Sequence, residues 1–358
     1  MEFGTFTLPT GHRHPKDPQF RTRCPCSTAL AAPVPPRQLT QCSSVFWGTM
    51  RDSNATVVVS GTTNVDTFVT VQNFPQPGET TIAEPGIEGL GGKGANQAAA
   101  CAHMGVNTVL LSAVGNDPQG ELAITELREH GVNTDYIVSS RQPTGRAFIM
   151  NDPSGENIII VTSGANELVS PAQQRETVKE LRRQGPVPIV LAQGDLTPEH
   201  SAELPKLVEN SDSRLVLNLA PVTTRDPDLL AAADPLVLNE GEAAAVLDAA
   251  PGTPIEELLD RLRHIARSVV VTLGQRGAMI VEGDAEPVHI PAVYVERVVD
   301  TTGAGDAFCG TLAAALAQGE NLVDACTLGA AAGALATQKR GAAGSYATEN
   351  EIRRLGEA

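Results

Sequence analysis

"VVDTTGAGDAFCGTLAAAL", residues 298–316, runs from an apolar pair into a turn almost free of side chain, Gly303, Ala304 and Gly305, then an acid, then a helix of small residues. Such a turn lets another molecule approach the backbone closely, and the free N–H groups at the amino end of the following helix attract anions. Asp306 stands in the first turn of that helix. Its carboxylate can cap the helix, a common task for Asp at that place. Alternatively it accepts the proton of an attacking hydroxyl while backbone N–H groups hold a transferring phosphoryl group. The run by itself leaves both readings open.

A second turn of similar build lies upstream. "GLGGKGANQAAACAHMG", residues 89–105, gathers glycines around Lys93 and continues as an alanine-rich helix. It fails as a P-loop, because Gly94 follows Lys93 where a Ser or Thr would bind magnesium, and position 87 is not Gly. Gly89, Gly91 and Gly94 match G-x-G-x-x-G, but "EPGIE" before them reads as a turn, and the first strong strand, "TVVVSG", ends near residue 61. Two readings survive: a ligand-holding turn, or a close-packed helix start with Lys93 in water.

Around these turns the chain alternates. "TVVVSG", "NTVLLSA", "PVPIVLA", "RLVLNLA", "DPLVLN" and "SVVVTLG" are short β-branched runs of the kind that form buried parallel strands. Helical segments fall at about 94–105, 117–131, 171–184, 198–210, 239–249 and 254–266. The expectation is an α/β fold with a doubly wound, mostly parallel sheet flanked by helices. Ligands bind at the carboxyl ends of such strands, where Asn64, Asp195, Asn218, Asn239 and Thr272 fall. A different texture, "DTFVTVQNF", "ETTIAEP", "GRAFIMND" and "ENIIIVT", predicts a small inserted antiparallel β lid drawn from about 65–84 and 145–162.

Composition removes several function classes. A net charge of -16 over 358 residues opposes general binding to nucleic acid or anionic membrane. No apolar run approaches the ~18 residues of a membrane span. Residues 1–49 hold seven prolines, three of the six cysteines and the only tryptophan, without hydrophobic periodicity. They read as a disordered or artefactual extension, with Met50 as the natural start; a processed transit segment is the alternative. Cys24, Cys26 and Cys42 have poor zinc spacing, and Cys101, Cys309 and Cys326 read as buried thiols suited to a reducing cytoplasm. Residues 50–358 form the single folded unit.

In combination, "GTTNVD" at 61–66, "GGKGAN" at 91–96, "NEGE" at 239–242, "TLGQRG" at 272–277 and "DTTGAGDAF" at 300–308 resemble, in order and spacing, the ribokinase-like or PfkB family of carbohydrate kinases. The resemblance covers about residues 55–350, and "GTTNVDTFVTVQNFPQPGET" is most similar to members that phosphorylate ribose. It implies ATP-dependent phosphorylation of D-ribose at the 5-hydroxyl, with a divalent magnesium ion, potassium as monovalent activator and a homodimer formed through the lid. Asp306 is then the catalytic base, with Gly303, Ala304 and Gly305 around the developing charge.

Asn64, Asp66, Gly92, Lys93, Asn96 and Asp195 would hold the sugar, although Asp195 stands where ribose-specific members usually carry Glu. A polyol offers many donors and acceptors, which suits amides, an ammonium and carboxylates set around an open backbone. Asn239, Glu242, Thr272, Gly274, Gly277 and Gly305 would serve the nucleotide, although "NEGE" alone reads equally as a helix cap with acids favourable to the dipole. Asp300, Thr302, Ala336, Lys339, Gly341 and Ser345 would surround potassium, mostly with backbone oxygens. The rivals are a deoxyribose, nucleoside or ketose kinase of the same family and a catalytically silent sugar sensor. Few aromatics, 3% of the chain, disfavour stacking on a nucleobase, and the intact Asp306 turn disfavours the sensor. A chain starting at Met50 is expected to keep the turnover and melting temperature of the full chain; loss of folding on that truncation would show that residues 1–49 dock.

Overall fold

Runs such as "TVVVS" are apolar on both faces and must be covered on both faces. A computed structural model describes residues 55–154 and 156–356, Pro85 by its backbone alone. The extension expected at 1–49 lies outside the described residues. The strands, in chain order, are β1 (Thr56–Ser60), β2 (Asn64–Thr70), β3 (Glu84–Gly91), β4 (Asn107–Leu111), β5 (Ala113–Gly115), β6 (Val138–Ser140) and β7 (Gly145–Asn151). They continue as β8 (Asn157–Thr162), β9 (Ile189–Gln193), β10 (Arg214–Asn218), β11 (Ala233–Asn239), β12 (Ser268–Thr272), β13 (Ala278–Glu282) and β14 (Val288–Ile290).

The six β-branched runs all enter one eight-stranded sheet of order β14-β13-β12-β11-β10-β9-β1-β4, parallel from β12 to β4. Apolar clusters cover both of its faces. The chain leaves β1 for β4 on one side and returns to β9 on the other, so the topological switch, and the crevice it opens, lies at the carboxyl ends of β1 and β9. The antiparallel pair β13 and β14 was not expected from the sequence. Gly277, at φ +87°, closes the turn from β12 to β13, and the Leu273 N–H donates to its carbonyl at 2.7 Å.

Helices Lys93–His103, Pro118–Glu129, Pro171–Gln184, Glu240–Leu247 and Ile255–Leu262 agree with the expected segments to within a turn. The segment 198–210 instead breaks into Pro198–Ser201 and a 3₁₀ turn at Leu204–Leu207, because Pro205 brings no N–H to a continuing helix. Among the described residues, no helix is long and apolar enough to cross a membrane.

The lid is a four-stranded sheet of order β3-β2-β7-β8. It is mixed rather than antiparallel: β2 pairs with β7 in parallel, while β3 and β8 flank them antiparallel. The reason is attachment. Asn64 pairs with both Gly91 and Gly145, and Arg146 pairs with Thr162, so all four strands have one end on the same line beside the main sheet. "EPGIE", read from sequence as a turn, is edge strand β3, and most of "ETTIAEP" precedes it. Gly86 hides the strand character: a Cβ there would stand 2.2 Å from the Phe68 carbonyl oxygen, so the backbones approach more closely than side-chain alternation allows.

Helices Lys93–His103, Ala304–Ala317 and Leu322–Ala336 pack on one face of the main sheet through alanines and glycines. Gly310 marks the tightest crossing, since a Cβ there would meet the Gln97 carbonyl oxygen at 2.4 Å and Ala100 Cβ at 2.6 Å. Gly310→Ala is therefore expected to cost about 1–3 kcal/mol of stability by forcing the helices apart. Urea denaturation checks this, and an unchanged midpoint would mean that the helices separate freely.

Candidate active site

The helix Ala304–Ala317 begins from Gly303, whose φ of +75° lies in the left-handed region. A side chain is excluded there twice over, because a Cβ would also lie 2.7 Å from Ala342 Cα. Ala304 turns its N–H inward to the Thr301 carbonyl at 3.2 Å, while Gly305 faces open space. Asp306 is 8% exposed and makes no cap. Its Oδ2 accepts from Asn96 Nδ2 at 3.1 Å, and its Oδ1 accepts from Gln97 Nε2 at 2.9 Å. The capping alternative thus fails on geometry: the carboxylate is held by the side chains of another helix.

That other helix starts at the glycine-lysine turn. Gly92 has φ +87°, and a Cβ on Gly94 would come within 2.6 Å of the Thr62 nitrogen, so the turn nests directly on the residues leaving β1. Lys93 does not point into water. Asp306 holds its ammonium above the usual range against the opposing cost of burial, and Asp195 and Glu242 add to the effect. Asp66, on β2, lies against Gly91, where a Cβ would stand 2.0 Å from Oδ1; glycine is what leaves room for the carboxylate. Burial, reinforced by Asp306, pushes the Asp66 carboxyl up to about 6.

Asp195 is likewise pushed up to about 6 by burial, although the Thr62 hydroxyl donates to it and Lys93 lies near. Among the described residues, Asp195 Oδ1 and Asn96 Oδ1 are buried acceptors without a protein partner. Asn64 is fixed by Asn166, whose Nδ2 donates to Asn64 Oδ1 at 2.7 Å and to the Thr63 carbonyl at 3.1 Å, while its Oδ1 accepts from the Thr63 N–H at 2.9 Å. Thr62, Asn64, Asn166 and Asp195 line one cleft under the end of β8.

The nucleotide candidates gather at the neighbouring strand ends. Asn239 and Thr272 are register partners on β11 and β12. "NEGE" does form a reciprocal capping box: Asn239 Oδ1 accepts from the Glu242 N–H, and Glu242 Oε2 accepts from the Asn239 N–H, each at 2.8 Å. Burial raises the Glu242 carboxyl, partly offset by that N–H and by Lys93. Gly274, at φ +57°, and Gly277 shape the turn beyond β12.

The remaining candidates fasten two loops together. Asp300 accepts from the Thr302 N–H and hydroxyl at 2.9 and 2.7 Å and from the Gly341 N–H at 3.0 Å. Burial alone would raise its carboxyl, but those donors bring it below the usual range. Ala336 ends its helix, the Lys339 N–H donates back to the Ala336 carbonyl, and the Ser345 hydroxyl donates to the Ala342 carbonyl. The Tyr346 hydroxyl reaches the Gly303 carbonyl at 3.3 Å. Among the described residues, no group of three or more His, Cys, Asp or Glu side chains could hold a metal ion.

Gln97, Gln193, Thr62 and Asn166 belong to the site without having been picked out from sequence. Gln97 is adjacent to Asn96 in a run already under suspicion, whereas nothing in "SGANEL" marks Asn166.

Residues 54–349 match the model of the pfkB family of carbohydrate kinases. The chain is 31% identical to a ribokinase of Staphylococcus aureus, over 84% of this chain and 99% of that protein. It is 32% identical to a ribokinase of Bacillus subtilis, with 84% and 98% covered. Its structure resembles that of Arabidopsis thaliana ribokinase complexed with ribose and ATP, with a TM-score of 0.76, 29% identity and 85% of this chain and 99% of that one covered. A ribokinase from Thermotoga maritima gives a TM-score of 0.75 at 30% identity, covering 85% and 100%. Matched over most of its length by the family model and about 31% identical to these relatives, the chain belongs to the pfkB family of carbohydrate kinases and is an ATP-dependent phosphotransferase.

Proposed function

We propose that the protein transfers the γ-phosphoryl group of ATP to the 5-hydroxyl of D-ribose. The observation that carries this reading is Asp306, a buried carboxylate next to the open backbone at Gly305, in the field of Lys93 and Asp66. The curated relatives named above as ribokinases support ribose as the sugar. Asn64, Asp66, Gly92, Lys93, Asn96 and Asp195 bind the sugar: the carboxylates accept from its hydroxyls, and Lys93 and the amides donate. Asp306 takes the proton of the attacking hydroxyl as the bond to phosphorus forms, and the Gly303–Gly305 turn, with Ala304, faces the charge on the transferred group. Asn239, Glu242, Thr272, Gly274, Gly277 and Gly305 position the nucleotide.

The donors available for cations are oxygens, the hard ligands that magnesium and potassium take. Asn239 and Glu242 would hold the water shell of magnesium, which neutralises phosphate charge when bound with ATP. Asp300, Thr302, Ala336, Lys339, Gly341 and Ser345 would hold potassium, which stiffens the two loops beside Gly303. The lid would pair two copies: β8 is an edge strand whose Ile159, Ile160 and Val161 are 54%, 53% and 58% exposed. Buried free thiols at Cys101, Cys309 and Cys326 suit the cytoplasm.

A substrate screen tests the reading. D-ribose should be used in preference to deoxyribose, nucleosides and ketoses. Asp306→Asn should lower turnover with ribose about 100- to 10,000-fold while ribose and ATP still bind by calorimetry. Wild-type turnover in that variant would remove Asp306 as the base, and preference for another sugar would move the assignment within the family.

The acids of the sugar pocket set a pH dependence. Burial raises Asp66 and Asp195 from the ordinary aspartate value of 3.8 to about 6 in the folded protein. As pH falls below about 6 they take up protons and lose acceptor capacity, so kcat/KM for ribose should fall. Stability should move the other way: between about pH 4 and 6 the folded state binds more protons than the unfolded chain, so these two groups favour folding increasingly as pH drops. Profiles of rate and melting temperature for wild type and Asp66→Asn check both signs, and a wild-type kcat/KM flat from about pH 5 to 8 would place the sugar elsewhere.

A further inference from the structure

Asp306 is not held by isolated contacts. Gln97, fully buried on helix Lys93–His103, donates from Nε2 both to Asp306 Oδ1 at 2.9 Å and to Asn218 Oδ1 at 3.0 Å, and its Oε1 accepts from Gln193 Nε2 at 2.9 Å. Asn218, at the end of β10, donates from Nδ2 to the Val237 carbonyl of β11 at 3.2 Å. The direction of every bond in this chain follows from its far end. A backbone carbonyl can only accept, so Asn218 must turn Nδ2 toward Val237 and its oxygen toward Gln97. Gln97 must then present Nε2, and once one hydrogen serves Asn218 the other is aimed at Asp306. Gln193, at the end of β9, completes the arrangement by donating to Gln97 Oε1. With Asn96 donating to Oδ2, each carboxylate oxygen of Asp306 faces an N–H donor.

We propose that Gln97 is a positioning residue for phosphoryl transfer: it carries the orientation of the main sheet, through Asn218 and the Val237 carbonyl, to the Asp306 carboxylate and holds it as an oriented acceptor. The proposal rests on Asp306 being the base. The groups involved are buried, with Gln97 and Gln193 at 0% and Asn218 and Asp306 at 8%, so water does not readily replace a missing link. Sugar binding belongs to other residues, so the effect of Gln97 lies in the chemical step. A carboxylate misplaced by about 1 Å can cost on the order of 100-fold in rate.

The test is a double-mutant cycle on the full chain with ribose and ATP. Gln97→Met keeps the volume and removes the donor; it should lower kcat about 10- to 100-fold with little change in KM for either substrate. In the Asp306→Asn background the same change should lower kcat no further, because its effect passes through that carboxylate. Melting temperatures accompany each variant, and Gln97→Glu, which keeps the shape but puts an acceptor between the Asp306 and Asn218 oxygens, covers the case in which Gln97→Met does not fold. A merely structural role predicts lower melting temperatures with kcat per folded molecule unchanged, and that result overturns the proposal. Equal losses from Gln97→Met in both backgrounds also overturn it. Wild-type activity of Asp306→Asn by itself would instead defeat the assignment of the base.

Discussion

The site depends on how closely three pieces of backbone can approach one another. Helix Lys93–His103 sits on the residues leaving β1 at Gly61 and Gly94, and against helix Ala304–Ala317 at Gly310, and at each contact a Cβ would stand under 3 Å from a neighbouring backbone atom. The helix that brings Lys93, Asn96 and Gln97 to the switch point therefore has no slack. Distances of 2.9 and 3.1 Å from Gln97 and Asn96 to Asp306 are a consequence of that packing, because both donors are rooted on the seated helix. Glycine here supplies proximity, and the polar side chains act on it.

Much of this was legible in the sequence, and the parts that were not have physical causes. The six β-branched runs could be read as parallel strands because burial on both faces leaves no polar alternation. The lid was harder. Its pairing is set by where the strands attach, and attachment at Asn64 and Gly145 is a tertiary fact with no local signal. β3 was read as a turn because its glycines at 86 and 89 look like turn residues, when at Gly86 they serve a close backbone crossing. In the site, Asp306, Lys93 and Asn96 stand in glycine-rich turns that announce themselves. Gln97, Gln193 and Asn166 act through contacts with residues 96 or more positions away, and no spacing in the chain reports these.

The electrostatics carry a second constraint. Lys93 is drawn to Asp306, Asp195 and Glu242 at once, and burial raises Asp66 and Asp195 to about 6. In a chain of net charge -16, nucleotide phosphates are not gathered by general attraction. In the proposed function, the amino end of helix Ala304–Ala317, where the backbone at Gly305 faces open space, supplies the local attraction for phosphate that the molecule as a whole lacks. Around Asp66, Asp195 and Asn96 the polar groups are weighted toward acceptors, as the proposed sugar, a donor of several hydroxyls, would require.

The shared attachment line of the lid has a mechanical consequence. β2, β3, β7 and β8 all end at the level of Asn64, Gly91, Gly145 and Thr162, and Asn166 pins that level by pairing with both the N–H and the carbonyl of Thr63. The lid is thus a flap on a single axle, and its residues differ in leverage. At a rise of about 3.3 Å per residue, Asp66 stands roughly 7 Å from the axle and the far end of β2 roughly 20 Å. A swing of about 10° that carries the far end by some 3.5 Å moves Asp66 by only about 1 Å. A rotation about that line would therefore displace the rim several times further than the Asp66 carboxylate near the axle.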